Sequence, residues 1–202
     1  IHTKWYSPHA WTREITSSSD NWAYEDQHGT TCHWGAETAR DYWYNTWGIK
    51  GLDNNKAGVT VMVDDDELSD NSRFDTKSNV IQVGTLSSNG STVGALDIMG
   101  HEYTHGVSKY TAGFTQDPES WALNESFSDI FGTLVKRYVT GSVNWTFGSD
   151  LPSAFRSFSS PGSYGASGSY TGDPDTYLGT NWRSTATTTA DDFAHHNNGV
   201  QN

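Results

Sequence analysis

The sequence predicts an α+β fold, in which a twisted, mostly antiparallel sheet at the N-terminal end is followed by helices. Apolar segments at 59–63 and 79–84 have strand length and strand composition, and both lie in the first half of the chain. The stretch 97–141 has the pattern of two helices instead. Strands that precede helices along the chain are typical of α+β proteins.

A further helix is predicted at 33–47, before these strands. Ala36, Ala39 and Trp43 recur at helical spacing, which places them on one helix face, and a glycine follows the segment. Residues 1–31 alternate aromatic and polar side chains, so we expect strands and loops there.

The first helix of the 97–141 stretch contains His101-Glu102-Tyr103-Thr104-His105, an H-E-x-x-H segment. Residues i and i+4 lie on one helix face, so His101 and His105 can direct two imidazoles at one point. Imidazole nitrogen is a good zinc ligand. Glu102 points beside such an ion, where its carboxylate can reach a water on the metal. The segment therefore predicts a zinc site.

The second helix is expected to supply the third ligand. Asp117 and Pro118 open it as N-cap and first helical residue. Within it, Glu125 is the candidate ligand. Asp129 lies one turn later on the same face, where its carboxylate can accept the free ring N–H of His101 and fix the tautomer.

Two histidines, one glutamate and an open fourth position are typical of a catalytic zinc site rather than a structural one. Zinc would lower the pKa of a bound water toward ~7 and polarise a carbonyl oxygen. We expect Glu102 to take the proton of that water and to pass it to a leaving amine.

The chain resembles the thermolysin-like zinc metalloproteases over about 21–202. The resemblance is carried by three segments: Gly100-HEYTH-Gly106, Tyr110-Thr111-Ala112-Gly113 and Asn124-Glu125-x-x-Ser128-Asp129-Ile130-Phe131-Gly132. It implies a secreted, extracellular enzyme that hydrolyses internal peptide bonds of proteins or peptides. Zinc aminopeptidases with H-E-x-x-H have one residue fewer before the glutamate, which would rotate it by about 100° on its helix.

The resemblance also implies residues that bind substrate. The segment that begins with Asn71 and Ser72 is similar to the edge strand of the family that pairs with the substrate backbone. Arg156 matches the arginine that binds a substrate carbonyl, and His195 matches the histidine that stabilises the oxyanion. Gln116 stands where the family has a tyrosine that assists this histidine.

Two further departures from the family concern His195 and calcium. Asp191-Asp192-Phe193-Ala194 precedes His195, so the aspartate that orients this histidine is either shifted by one residue or lost. The double calcium site of the family loses most of its acidic positions here. The Lys136 ammonium could replace a cation by pairing with Asp97, so we predict that this calcium pair is absent, with calcium elsewhere left open.

Composition restricts the partners of the chain. It has 24 acidic and 12 basic residues, a net charge of -12, which argues against nucleic acid and anionic membranes as partners. No apolar run approaches the ~20 residues of a membrane span. One cysteine, Cys32, excludes an internal disulfide.

We interpret residues 1–202 as one catalytic domain, with a sheet part at about 1–95 and a zinc-helix part at about 96–202. The resemblance implies that the mostly helical C-terminal domain of the family is missing. That domain, or the chain's own propeptide, is then an expected partner. Two other hypotheses stay open: a catalytically impaired zinc-binding module or truncated fragment, and a zinc aminopeptidase.

Overall fold

The structure is a computed structural model that describes residues 1–5, 13–14, 24–115, 117–163, 172–185 and 188–198. It has four α-helices in this part of the chain: α1 Tyr24–Trp47, α2 Leu96–Thr111, α3 Pro118–Thr140 and α4 Ala190–Asn197. A short 3₁₀ helix is formed by Pro161–Ser163. Its strands are β1 His2–Trp5, β2 Arg13–Glu14, β3 Thr60–Val63, β4 Ser72–Asp75, β5 Val80–Val83, β6 Thr146–Phe147 and β7 Arg156–Ser157. None of the helices in these ranges has both the length and the apolar character of a membrane span.

The predicted α+β fold, with an N-terminal sheet followed by helices, is confirmed. The sheet has five strands in the order β2-β1-β3-β5-β4. The prediction that it is mostly antiparallel is wrong, because β1–β3 and β3–β5 are parallel while β1–β2 and β4–β5 are antiparallel. The reason is the position of β2 and β4, which lie at the two edges of the sheet and run opposite to their neighbours. The chain reverses at each of them, so β1, β3 and β5 run in the same direction and form the parallel centre of the sheet.

The first helix is longer than the sequence indicates, since it begins at Tyr24 rather than at residue 33. The segment Gly29-Thr30-Thr31 has low helix propensity, which hides these turns from pattern analysis. Tertiary contacts outweigh that propensity. His28 Nδ1 lies 2.7 Å from Asp64 Oδ1, which ties the early part of α1 to the segment after β3.

The second and third helices pack at very short distance because glycines lie between them. A Cβ atom at Gly100 would lie 2.9 Å from Val135 Cβ and 3.0 Å from Gly132 Cα. Gly132 in turn faces the backbone carbonyl of Asp97. Side chains larger than hydrogen at these two positions would separate the helices. The residues that α2 and α3 direct at one another are therefore held close together.

Beside this contact lies a buried ammonium group. Lys136 Nζ is 3.3 Å from Asp97 Oδ2, 2.8 Å from Asp150 Oδ2 and 2.8 Å from Ser149 Oγ. The backbone N–H of Gly148 also donates to Asp97 Oδ2, at 3.0 Å. The pairing of Lys136 with Asp97 that the sequence indicates is present, and it joins α2, α3 and the segment after β6.

We predict that Lys136→Met destabilises the fold by about 3–5 kcal/mol, because it leaves the buried Asp97 carboxylate without its counter-charge. Urea unfolding followed by circular dichroism measures this. The matched control is Lys50→Met at an exposed position, which we expect to change the free energy of unfolding by less than about 0.5 kcal/mol. Adding Asp97→Asn to Lys136→Met should recover part of the loss. Equal stability of Lys136→Met and the control would contradict the pairing.

Candidate active site

His101 and His105 lie one turn apart on α2 and face the same point. Their Nε2 atoms are 2.9 Å apart. The Nδ1 atom of His101 is 2.9 Å from Asp129 Oδ1, and that of His105 is 3.1 Å from Ser128 Oγ. Because an ionised carboxylate only accepts, Nδ1 of His101 carries the hydrogen, and Nε2 of the neutral ring presents its lone pair. Both rings are thus oriented through the nitrogen that faces away from the shared point.

Glu125 on α3 completes this convergence. Its Oε2 lies 3.3 Å from His101 Nε2, and its Oε1 lies 3.5 Å from His105 Nε2. Oε2 is buried and has no hydrogen-bond partner among the described residues. A buried carboxylate oxygen without a donor is costly unless a cation lies beside it. Two imidazole nitrogens and one carboxylate are the donor set that suits zinc, so these residues can hold that ion.

The electrostatics of the site also favour a cation. Burial lowers the pKa of His101, but the carboxylates of Asp129 and Glu125 outweigh burial and raise it to about 10. Burial raises the pKa of Glu125, and the Coulombic interactions with His105 and His195 reverse this, so that the pKa lies well below its usual value. The metal-free site therefore attracts protons, and a divalent ion that displaced them would supply the same positive charge.

Glu102 lies beside this point, with its carboxylate at the wall of a cleft of about 720 Å³. One carboxylate oxygen of Glu102 lies within 4.8 Å of the ligating atoms of both histidines. Its Oε1 accepts a hydrogen bond of 2.7 Å from the Ser72 hydroxyl on β4. Ser72 thus contacts Glu102 directly, a contact that sequence patterns do not indicate. Asn71, its neighbour, is exposed at the cleft, where its Oδ1 accepts the Ser72 N–H at 2.9 Å.

Asp129 is fully buried and connects several parts of the site. Besides His101, it binds Arg156, whose Nε donates to Oδ2 at 2.8 Å and whose terminal nitrogen donates to Oδ1 at 2.6 Å. The Asn198 amide donates to Oδ2 at 3.0 Å. Burial raises the pKa of Asp129, but Arg156 and His101 more than offset this and lower it. The carboxylate stays ionised and holds the arginine and the histidine together.

His195 lies on α4 at the edge of the cleft, with 48% of its side chain exposed. Its Nε2 is 3.5 Å from Glu125 Oε2. Its Nδ1 donates to the backbone carbonyl of Asp191 at 2.9 Å and lies 3.3 Å from Asp191 Oδ1. The sequence left open whether the aspartate that orients this histidine is shifted by one residue or lost. In the structure Asp191, one helical turn before His195, contacts the ring, which corresponds to a shift. Gln116 lies outside the described residues.

Trp121 is a residue of the site that the sequence did not indicate. Trp121 lies one turn before Glu125 on α3, lines the cleft and donates its indole N–H to Glu125 Oε1 at 3.1 Å. Its ring lies against that of His195, with 6.2 Å between centroids. The spacing of one turn from Glu125 was a signal in the sequence, but a tryptophan at that spacing equally suits a buried helix face.

Comparison with known proteins extends over most of the chain. Residues 2–109 match the family model of the thermolysin metallopeptidase catalytic domain, and residues 112–202 match that of its alpha-helical domain. The expectation that the helical domain is missing is therefore wrong, since residues of this chain match it. The whole of α3, including the candidate ligand Glu125, lies within the residues that match the helical domain, whereas the sequence interpretation placed this helix in the catalytic domain.

Individual relatives agree with these matches. Thermolysin of Alicyclobacillus acidocaldarius subsp. acidocaldarius is 34% identical over 158 residues, 75% of this chain and 28% of that protein. Neutral protease NprE of Bacillus pumilus is 30% identical over 196 residues, 95% of this chain and 59% of that protein. The chain thus spans about a quarter to three-fifths of the length of these relatives.

The fold is shared with a solved structure, the precursor of protealysin, a metalloproteinase from Serratia proteamaculans. It superposes with a TM-score of 0.76 at 20% identity, over 100% of this chain and 66% of that one. The match of residues 2–109 alone covers more than half of the chain. The chain therefore belongs to the thermolysin family of metallopeptidases.

Proposed function

We propose that this chain acts as a zinc-dependent endopeptidase that hydrolyses internal peptide bonds of proteins and peptides. The observation that carries the proposal is the convergence of His101, His105 and Glu125 on one point in an open cleft, with the Glu102 carboxylate beside it. Family membership supports it. An aminopeptidase needs a site for a free amino terminus, whereas this cleft continues along a strand edge.

That edge belongs to β4, which pairs only with β5 in the described part of the sheet. Residues of β4 line the cleft, and its other edge has backbone groups available to an added strand. An extended peptide can pair with such an edge through main-chain hydrogen bonds. We therefore assign Asn71 and Ser72 to peptide binding, with the scissile bond above Glu102.

We assign the zinc ion to His101, His105 and Glu125, with Asp129 as the partner that fixes the His101 ring. Bound there, zinc supplies Lewis acidity, which polarises a carbonyl oxygen and lowers the pKa of water. The Glu102 carboxylate acts as general base: it accepts a proton from the attacking water and delivers it to the leaving nitrogen. Ser72 holds one oxygen of Glu102, which leaves the other oxygen available to accept the proton.

Two cations then act on the substrate carbonyls. His195 donates from Nε2 to the oxyanion, and its contacts with Asp191 and Glu125 keep the ring protonated. The Arg156 guanidinium donates two N–H groups to Asp129, and its other N–H groups can donate to a carbonyl of the bound peptide. Because Asp129 is buried, the position of Arg156 is determined before substrate binds. We assign Gln116 a supporting contact to the oxyanion.

We further propose that the protein is secreted and that it is made as a precursor with a propeptide of its own; the similar protealysin structure is that of a precursor. The net charge of -12 disfavours polyanionic partners. The Lys136 ammonium between Asp97 and Asp150 supplies positive charge where the family's double calcium site would require cations. We propose that this calcium pair is lost.

The test of the proposed function is Glu102→Gln, which we expect to lower casein hydrolysis about 10²–10⁴-fold because the amide cannot accept the proton. Metal analysis should still find one zinc per chain. The exposed Glu67→Gln is the matched control. Full activity of Glu102→Gln would refute the general-base assignment. A wild-type chain that binds zinc without cleaving casein or N-terminally blocked peptides would favour the impaired zinc-binding module.

A second prediction concerns the contact of Ser72 with Glu102. Ser72→Ala should lower kcat about 10-fold, because it removes a hydrogen bond to a charged group of about 1.5 kcal/mol. Ser72→Thr retains the hydroxyl and should retain most of kcat. Steady-state kinetics on a blocked peptide, with zinc content measured in parallel, check this. A rise in KM with unchanged kcat would show that Ser72 contributes to binding alone.

A third prediction concerns protonation of His195 in the metal-free protein. Partial burial lowers the pKa of His195, but Glu125 and Asp191 raise it from 6.5 to about 9. The charged ring therefore stabilises the fold fully below pH 6.5, and this contribution is lost as the pH rises through about 9. NMR titration of the ring should show a midpoint well above the ordinary value, and Asp191→Asn should lower it. Identical midpoints in the two proteins would contradict the role of Asp191.

A further inference from the structure

The two proposed histidine ligands each have a partner at the ring nitrogen that faces away from the shared point, and the proposed ligand Glu125 has a partner at one carboxylate oxygen. His101 has Asp129 and His105 has Ser128. For Glu125 the partner is Trp121, whose indole Nε1 donates to Oε1 at 3.1 Å. Trp121 precedes Glu125 by one turn of α3, so the helix itself brings the indole alongside the carboxylate.

This hydrogen bond makes the two oxygens of Glu125 unequal. Oε1 is engaged by the indole, whereas Oε2 is buried without a hydrogen bond and lies 3.3 Å from His101 Nε2. A glutamate side chain has several rotatable bonds and would otherwise exchange these positions. We propose that Trp121 positions Glu125 for the metal, because its N–H holds Oε1 on the side of His105 and leaves Oε2, 3.3 Å from His101 Nε2, without a hydrogen bond. This inference rests on the proposed zinc site.

The chemistry of the indole suits this task. Its N–H is a neutral donor, so it orients the carboxylate without cancelling the negative charge that a metal ion requires. A lysine or arginine at the same place would orient Glu125 but would also compete with the metal for its charge. The bicyclic ring has few rotamers, and its contact with His195 restricts it further. Trp121 is half-buried at the cleft and could direct its N–H at solvent, yet its N–H is directed at Glu125 Oε1.

The experiment compares zinc affinity of the wild-type chain with that of Trp121→Phe, by competition with a chromophoric chelator. Loss of a ligand's partner typically weakens metal binding about 10–100-fold, and we expect at least about a 10-fold loss. The matched control is Trp34→Phe on α1, where the ring is 49% exposed. Its zinc affinity should equal that of the wild type. The visible spectrum of the cobalt-substituted protein should change in Trp121→Phe and not in the control.

A second variant separates the N–H from the size of the ring. Benzothienylalanine at position 121 preserves a bicyclic ring but has sulfur in place of the N–H, so packing is retained. It should weaken zinc binding as Trp121→Phe does, while the melting temperature without metal stays that of the wild type. Wild-type zinc affinity in the benzothienylalanine protein overturns the inference. A wild-type chain that fails to bind zinc overturns both this inference and the proposed function. If the wild-type chain binds one zinc ion and the benzothienylalanine protein has the same affinity, only the inference about Trp121 is overturned.

Discussion

The close contact of α2 with α3 is the constraint on which the site depends. Gly100 and Gly132 allow the two helix backbones to approach so nearly that a single added Cβ would collide. At that separation, His101 and His105 of one helix meet Glu125 and Asp129 of the other at hydrogen-bonding distance. A wider spacing would leave a carboxylate and two imidazoles that could not share one ion. The glycines therefore contribute to chemistry through distance, although they carry no side chain.

The same contact creates an electrostatic problem, because it buries carboxylates in a small volume. Asp129 and Glu125 are both almost inaccessible to water, and Asp97 is buried at the far side of the same interface. Each has a positive neighbour of a different kind: Arg156 for Asp129 and Lys136 for Asp97. Glu125 has only titratable imidazoles, so it is the carboxylate at which a metal ion gains most. The proposed metal position is thus next to the carboxylate that lacks a permanent side-chain cation in the described part of the site.

The sequence predicts the parts of the structure that follow from local periodicity. The one-turn spacing of His101 and His105, and of Glu125 and Asp129, requires only that each segment be helical, and α3 begins at the predicted Pro118. The direction of the strands could not be predicted, because it depends on β2 and β4 pairing at the two edges of the sheet, which places β1, β3 and β5 side by side. The start of α1 was missed because contacts distant in sequence stabilise turns of low propensity. The contact of Trp121 with Glu125 depends on side-chain rotamers, which spacing alone does not determine.

The proposed peptide-binding edge and the proposed base Glu102 are linked through β4. Alternate side chains of a strand face the same side, so Ser72 and Phe74 both point at α2. Ser72 binds Glu102, and the Phe74 ring lies where a Cβ at Gly106 would be 3.0 Å away. The strand therefore cannot slide along α2 without breaking a hydrogen bond and a close packing contact. Under the proposed function, a peptide that paired with the edge of β4 that is unpaired in the described part of the sheet would take its register from that strand, and so from the helix that carries Glu102. Alignment of the scissile bond with the proposed base would then follow from sheet register rather than from a flexible loop.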